Sequence, residues 1–300
     1  MAKSKAFRPS VGERVFRAIN MAFLVLFCLT ILYPFLNMIS VSFSDSFAVL
    51  RSEVTFYPIG FNADAYRQVI FNPNIIRSYL NTIFVAVMGS VLSLIFTSMA
   101  AYPLAFCDFI GKKAFNVFIT ITLWFSGGII PSFLVIRSLG LVDSLFSLIL
   151  SAMIGAFNVI ILRSFFSNLP VSLVESARID GANDFSILFR IVMPLSKAAL
   201  STIALWVIVA HWNNYIAPLM YLKSRENYTL QMVLRDIVLA SEGNIYQIES
   251  SGASIEGGVT AISDQVKNAV LMFSMVPMLI LYPFIQKYFV TGVTLGSVKE

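Results

Sequence analysis

The chain has 300 residues, 58% of them hydrophobic and 12% charged, with a formal net charge of +5 and a mean hydropathy of +0.81. About half the usual charge of a soluble domain excludes a water-solvated globule and places the chain in a bilayer. The basic excess flanks apolar runs, which excludes a nucleic-acid patch; Cys28 and Cys107 sit in or at the ends of such runs and form no disulfide framework, and the lone His211 builds no metal site by itself.

Stretches free of Asp, Glu, Lys and Arg cover 18–44, 78–107, 114–136, 144–162, 198–222 and 268–286. Each supplies the roughly 20 residues that a helix needs to cross about 30 Å of hydrocarbon. The alternating pattern of a membrane barrel is absent, so six helical crossings are expected. Residues 1–17 carry Lys3, Lys5, Arg8, Arg14 and Arg17 and are predicted to be a cytoplasmic N-terminal segment. The first apolar run is 27 residues, longer than the 7–15 or so of a secretory signal, so it reads as a retained anchor. With the N-terminus inside, 13 of the 21 Lys and Arg fall in inner segments, which places both termini in the cytoplasm.

The outer segments 45–77 and 223–267 and the inner segment 163–197 have room for structure. In the outer loop, Leu230, Val233, Leu234, Ile237 and Val238 recur at helical spacing and predict a short amphipathic helix, followed by the loop composition SSGASIEGG at 250–258. Pro34, Pro103, Pro131, Pro218, Pro277 and Pro283 lie in or near span interiors as tolerated kinks. Gly89, Ser93, Ser98, Ala100 and Ala101 allow helices to approach closely.

The inner segment is the unusual one, with ESARIDGANDFSILFRIVMPLSKAAL at 175–200 putting charge, Gly and Pro between two apolar runs. Pro170 fixes where a helix begins, and Ser172 with Glu175 three residues on has capping-box spacing. Leu173, Val174 and Ala177 give that helix an apolar face, Gly181 stops it, and Asn183 caps a second helix with Asp184 in its first turn. Phe185, Leu188, Phe189 and Val192 form the second apolar face, and Pro194 restarts the chain at the fifth span. The product is a stiff helix-turn-helix beneath the membrane. On spacing alone Glu175 reads first as a cap, and a capping carboxylate still keeps lone pairs for a partner.

These residues resemble the EAA loop of binding-protein-dependent ATP-binding cassette (ABC) importer permeases, whose pattern is Glu-Ala-Ala, three residues, Gly, nine residues, Ile, one residue, Leu-Pro. Glu175, Ser176, Ala177, Gly181, Ile191 and Pro194 stand at those spacings, and Asp180 and Ala182 flank the Gly as in the sugar-importing branch; Ser176 and Met193 are the departures. HWNNYIAPLM at 211–220 and QKYFVTGVTLGSVKE at 286–300 are similar to carbohydrate-uptake permeases of the maltose type. The resemblance implies an all-α integral membrane fold with six transmembrane helices, the MetI-like transmembrane domain of type I importers, over 18–300, with a cytoplasmic coupling loop at 168–194. It also implies the cell membrane of a prokaryote as the location.

No GxxxxGK[ST] phosphate loop is present, so the chain is not expected to be an enzyme or to bind a cofactor. ATP and Mg belong to a separate cytoplasmic ATPase dimer, which by resemblance receives the coupling loop. There Glu175 would pair with a basic residue, Gly181 would permit the turn, and Ala177 and Ala182 would allow close approach; Arg178, Asp180, Ile191 and Pro194 complete the motif. The other expected partners are a second permease subunit, an extracellular solute-binding protein and membrane lipid, with no nucleic acid.

For the pathway, Asn81, Asn158, His211, Trp212, Asn213 and Asn214 are polar or aromatic groups at membrane depth. Amides there can bond sugar hydroxyls and a Trp ring can stack on a pyranose; helix-to-helix hydrogen bonding is the alternative for each. An intramembrane hydrolase is excluded by the lack of a nucleophile elbow beside the one His. An ion-coupled carrier, expected to show intramembrane carboxylates or paired broken helices, and an importer of a non-sugar solute remain as alternatives.

Overall fold

The computed structural model describes residues 10–239 and 258–297, with side chains in the second stretch described over 264–283. The loop composition at 250–257 and the side chains of 286–300 lie outside the described residues. Every regular element described is a helix. In chain order these are α1 (Val11–Ser42), α2 (Ser46–Leu50), α3 (Asp64–Phe71), α4 (Pro73–Phe106), α5 (Lys112–Trp124), α6 (Ile129–Ser138), α7 (Leu145–Ser151) and α8 (Ala156–Ser167). Then come α9 (Val171–Ile179), α10 (Asp184–Ile187), a π-turn (Leu188–Val192), α11 (Met193–Leu195), α12 (Lys197–Asn213) and α13 (Ile216–Tyr221). A 3-10 turn (Arg225–Asn227) leads to α14 (230–239), and α15 is Gly258–Ser297.

Three stretches are each long and apolar enough to cross a bilayer: α1, α4 and Asp264–Pro283 within α15. Up to three more arise if each bent pair counts as one span: α5 with α6 at 114°, α7 with α8 at 52°, and Asp184–Leu195 with α12 at 87°. The sequence reads 114–136, 144–162 and 198–222 as continuous, and here the structure differs. Gly128 adopts φ 83°, ψ −179°, a conformation open to glycine alone, so the helix cannot run through it. Pro131 and Pro218 lie in the first turns of α6 and α13, where their missing N–H costs nothing, and so restart helices instead of kinking them. Apolarity sets where a span lies; it does not make the span one helix.

The chain divides into two compact units. In the unit of residues 1–71 and 238–273, Ser10 caps α1 by accepting from Glu13 N–H at 3.2 Å. The middle of α1 is unburied, with Phe23, Leu26 and Leu29 all more than half exposed, a surface suited to lipid or another chain. Its far end is tied to the following segment. Asn37 Nδ2 donates to the Thr55 carbonyl at 3.0 Å, Asp45 N–H donates to the Ile59 carbonyl at 2.8 Å, and Phe43 stacks on Tyr66 with ring centroids 4.5 Å apart.

The unit of residues 72–237 and 274–300 is built around α4, which packs most extensively on α12 and α8. The small residues expected to permit this do so: Gly89, Ser93, Ser98 and Ala101 are buried. One core cluster joins Ala101, Leu162, Phe166, Val174, Ile187, Val192 and Ile203, and so fastens α9 and the π-turn to α4, α8 and α12. A second joins Val85, Ile136, Leu148, Ile149, Tyr221, Leu222 and Met232. The amphipathic helix expected near 230–238 is α14, with Leu230, Met232 and Leu234 buried and Arg235 and Asp236 exposed.

Candidate functional site

The segment 170–196 forms the expected helix-turn-helix, with three differences of detail. First, Pro170 itself occupies the position preceding the helix, at φ −59°, ψ 120°. Ser172 is therefore already inside α9 and cannot cap it, and no side-chain cap bond forms. Glu175 is exposed, with no hydrogen bond or ion pair among the described residues. Second, the buried side chains of the return arm are Ile187, Leu188 and Val192, whereas Phe185 and Phe189 are 60% and 41% exposed. The chain makes a π-turn over Leu188–Val192, so the regular helical spacing used to place the expected face does not hold there. Third, Pro194 lies in α11, before a break at Ser196, and not in α12. A proline there can neither donate to nor tolerate the carbonyl four residues back at Arg190, and the widened turn ahead of it makes room.

The turn itself is tightly specified. Ala182 N–H donates to the Ala177 carbonyl at 2.9 Å and Gly181 N–H to the Arg178 carbonyl at 3.0 Å, with Gly181 at φ 82°. This pair of bonds closes a helix with a left-handed residue and brings Ala177 and Ala182 together. Ala177 is 8% exposed and belongs to the core cluster, so it faces inward, away from a partner's reach. Asn183 Oδ1 accepts from Ser186 N–H at 2.8 Å, as expected of a cap.

The two arms are locked by a group the sequence did not single out as functional. Asp184 Oδ1 accepts from Arg178 Nη2 at 3.0 Å and from the Tyr102 hydroxyl of α4 at 2.8 Å, and Arg178 Nη2 also reaches Cys107 Sγ at 3.6 Å. The bonds from Tyr102 and Arg178 hold the Asp184 carboxyl below the usual carboxylate range, and Asp184 in turn raises Arg178. Arg178 is thus spent inside the loop. The face left outward carries Glu175, Asp180, Gly181, Ile179 (86% exposed) and Phe185. Ile191 is half-buried and Pro194 exposed on the return arm. Ile179 and Phe185 were missed as surface residues because apolar side chains beside a span read as core.

The pathway candidates separate. Asn81 Nδ2 donates to the carbonyls of Glu226 at 2.8 Å and Tyr228 at 3.1 Å, holding α4 to the loop before α14. Trp212 is 3% exposed and packs edge-on against Tyr79 at 5.6 Å, and Asn213 points outward. By contrast, Asn158 and Asn214 line one cavity of about 290 Å³ with Ala152, Phe157, Trp206 and His211. Positions 206, 210 and 214 recur every four residues and share a face of the helix and its end, whereas 212, 213 and 214 cannot. Trp206, 5.5 Å from Phe157 between ring centroids, was legible by that rule and was missed.

A second polar lock lies at the other end of the same unit. Asp143 accepts from Lys223 N–H and Ser224 N–H, both at 2.9 Å, and from the Ser224 hydroxyl, while Asn227 Nδ2 donates to its carbonyl at 2.7 Å. The Ser224 and Lys223 donors hold its carboxyl well below the usual range. Asp143→Ala is expected to cost about 2 kcal/mol, measured as a fall of roughly 5 °C in the Tm of the detergent-solubilised complex. A depressed pKa means the contribution is complete above about pH 4 and fades as pH falls through the folded-state value, so wild type and variant converge only in strong acid.

A helical membrane unit without a nucleotide loop, carrying a rigid outward-facing turn and a small, mostly apolar cavity with two amides and an imidazole in its wall, defines a transport subunit driven from outside itself. Comparison with known proteins makes this definite: the chain belongs to the permease subunits of ABC importers for carbohydrates. It is 41% identical over 287 residues to the polygalacturonan/rhamnogalacturonan transport system permease protein YtcP of Bacillus subtilis, covering 96% of this chain and 99% of that one. It is 31% identical to the arabinooligosaccharides transport system permease protein AraQ of Halalkalibacterium halodurans, over 89% and 91% of the two chains. A chain in the crystal structure of a bacterial ABC transporter that imports the acidic polysaccharide alginate superposes with a TM-score of 0.84 at 34% identity, covering 95% of this chain and all of that one. No protein-family model matches the sequence. The protein is a transport component, not an enzyme, and the ion-coupled carrier is set aside: the broken helices that would have favoured it occur within an importer permease.

Proposed function

We propose that this chain forms half of a six-span bacterial membrane pathway that takes up an acidic oligosaccharide delivered by an extracellular binding protein. The second half is a distinct permease subunit, and both are driven by a cytoplasmic ATPase dimer that alone uses ATP and Mg. The observation that carries this reading is the loop 168–194: its inner face is buried in the core cluster and locked by Arg178 and Asp184, so a push on its outer face moves α4, α8 and α12 together. That outer face offers Ile179 and Phe185 as apolar anchors and the unpaired carboxylate of Glu175 for a basic partner. With this face in the cytoplasm, both termini lie on the same side. The acidic cargo follows the relatives named for polygalacturonan/rhamnogalacturonan and alginate, and the cavity lined by Asn158, Asn214 and Trp206 offers amides and a ring to a sugar.

The test is uptake of labelled trigalacturonate into vesicles holding the whole complex, with binding protein outside and ATP inside. Glu175→Lys is expected to lower uptake at least tenfold and to weaken retention of the ATPase on the immobilised permease pair. Uptake and retention at wild-type level would remove the loop from the coupling path.

A further inference from the structure

Within the α4 and α12 pairing, one contact is set by the absence of a side chain. A Cβ on Gly89 would lie against His211 Nε2, 2.9 Å from Cδ2 and 3.0 Å from Cε1, and these three ring atoms are its nearest neighbours. Gly89 sits inside a long regular helix and has no positive φ, so the backbone does not ask for glycine. Helix propensity alone favours alanine there. What requires glycine is space for an imidazole that is 6% exposed and packed against the helix.

The same ring is a wall of the cavity shared by Asn158, Trp206, Ala210 and Asn214. An imidazole turns about two bonds, and the open volume beside it is that cavity. We propose that Gly89 is a positioning residue for the transport cavity. Its missing side chain lets the His211 ring lie back against α4, and any larger residue at 89 swings the ring forward into the space before Trp206 and Asn214. This rests on the reading of the cavity as part of the sugar pathway for its meaning in transport, but the geometric claim can be tested separately.

The experiment places a cysteine at the exposed cavity position 210 (Ala210→Cys) in a Cys28→Ser, Cys107→Ser background and measures its reaction with N-ethylmaleimide in the assembled complex. Adding Gly89→Ala is expected to slow labelling at least fivefold, and adding His211→Ala to that chain is expected to restore it to within twofold. An unchanged rate with Gly89→Ala overturns the inference, as does slowing that His211→Ala fails to relieve. If Gly89→Ala prevents assembly, recovery of assembly by His211→Ala supports the ring as the obstacle and its absence overturns it. In uptake, Gly89→Ala is expected to raise the half-saturating cargo concentration far more in a chain that keeps His211 than in one that also carries His211→Ala; equal effects in both contradict the inference. Protection of the introduced thiol by trigalacturonate tests the pathway reading instead: its absence overturns that reading and leaves the labelling rates, and what they say of the ring, unchanged.

Discussion

Gly181→Leu is expected to reduce ATP-driven uptake at least tenfold while the complex still assembles. At φ 82° a side chain costs about 1–2 kcal/mol of backbone strain, a modest loss set against the stability of a membrane complex. A Cβ there meets nothing within 4 Å inside this chain, so the strain is not aggravated by a clash. The larger effect falls on the outward face: the closing bonds from Ala182 and Gly181 to α9 must distort, Asn183 moves with them, and the surface bearing Ile179 and Phe185 changes shape. ATPase activity is expected to persist but to lose its stimulation by loaded binding protein. Gly181→Asn, which tolerates the left-handed region, is expected to retain most uptake. Equal loss in both variants would mean that side-chain bulk, and not backbone geometry, governs the turn.

Phe166→Ala is expected to have the largest effect on stability, about 3–5 kcal/mol. The ring is fully buried at the end of α8, within the cluster that includes Val174 and Ala177 of α9, Ile187 of the return arm, and Ile203 of α12. Truncation opens a void where the loop joins the spans, and the rigid neighbours close it only in part. The complex should show a Tm lower by roughly 10 °C, and at temperatures where it remains assembled the ratio of cargo imported to ATP hydrolysed should fall. Phe166→Leu, which keeps most of the volume, is expected to recover the larger share of both. A normal import ratio in Phe166→Ala would show that the loop transmits force by another route.

The sequence carried the transport class and the place of the helix-turn-helix at 170–196 clearly, because charge, Gly and Pro between apolar runs set that segment apart from the helices around it. Gly181 and Asn183 were legible for the same reason: each satisfies a local backbone demand that few residues meet. What escaped was non-local. The partner of Asp184 on α4 is 82 positions away, the π-turn over Leu188–Val192 is not announced by composition, and the breaks at 125–128, 152–155 and 214–215 lie inside runs that carry no Asp, Glu, Lys or Arg. Of the pathway candidates, Asn158 and Asn214 reach one cavity while Asn81 and Trp212 make contacts between elements, a division that helical phase gives for 206, 210 and 214 and gives for no residue across helices.

The corner between α5 and α6 turns by 114° with Trp124 and Phe125 more than three-quarters exposed. Peptide groups at such a corner leave the helical ladder, and hydrocarbon offers them no donors or acceptors in exchange. A solitary copy would therefore carry a lasting penalty in lipid that a neighbouring subunit or an aqueous vestibule removes. Accumulation of this polypeptide is accordingly expected to fall when it is produced alone, the unaccompanied excess being open to quality-control proteases.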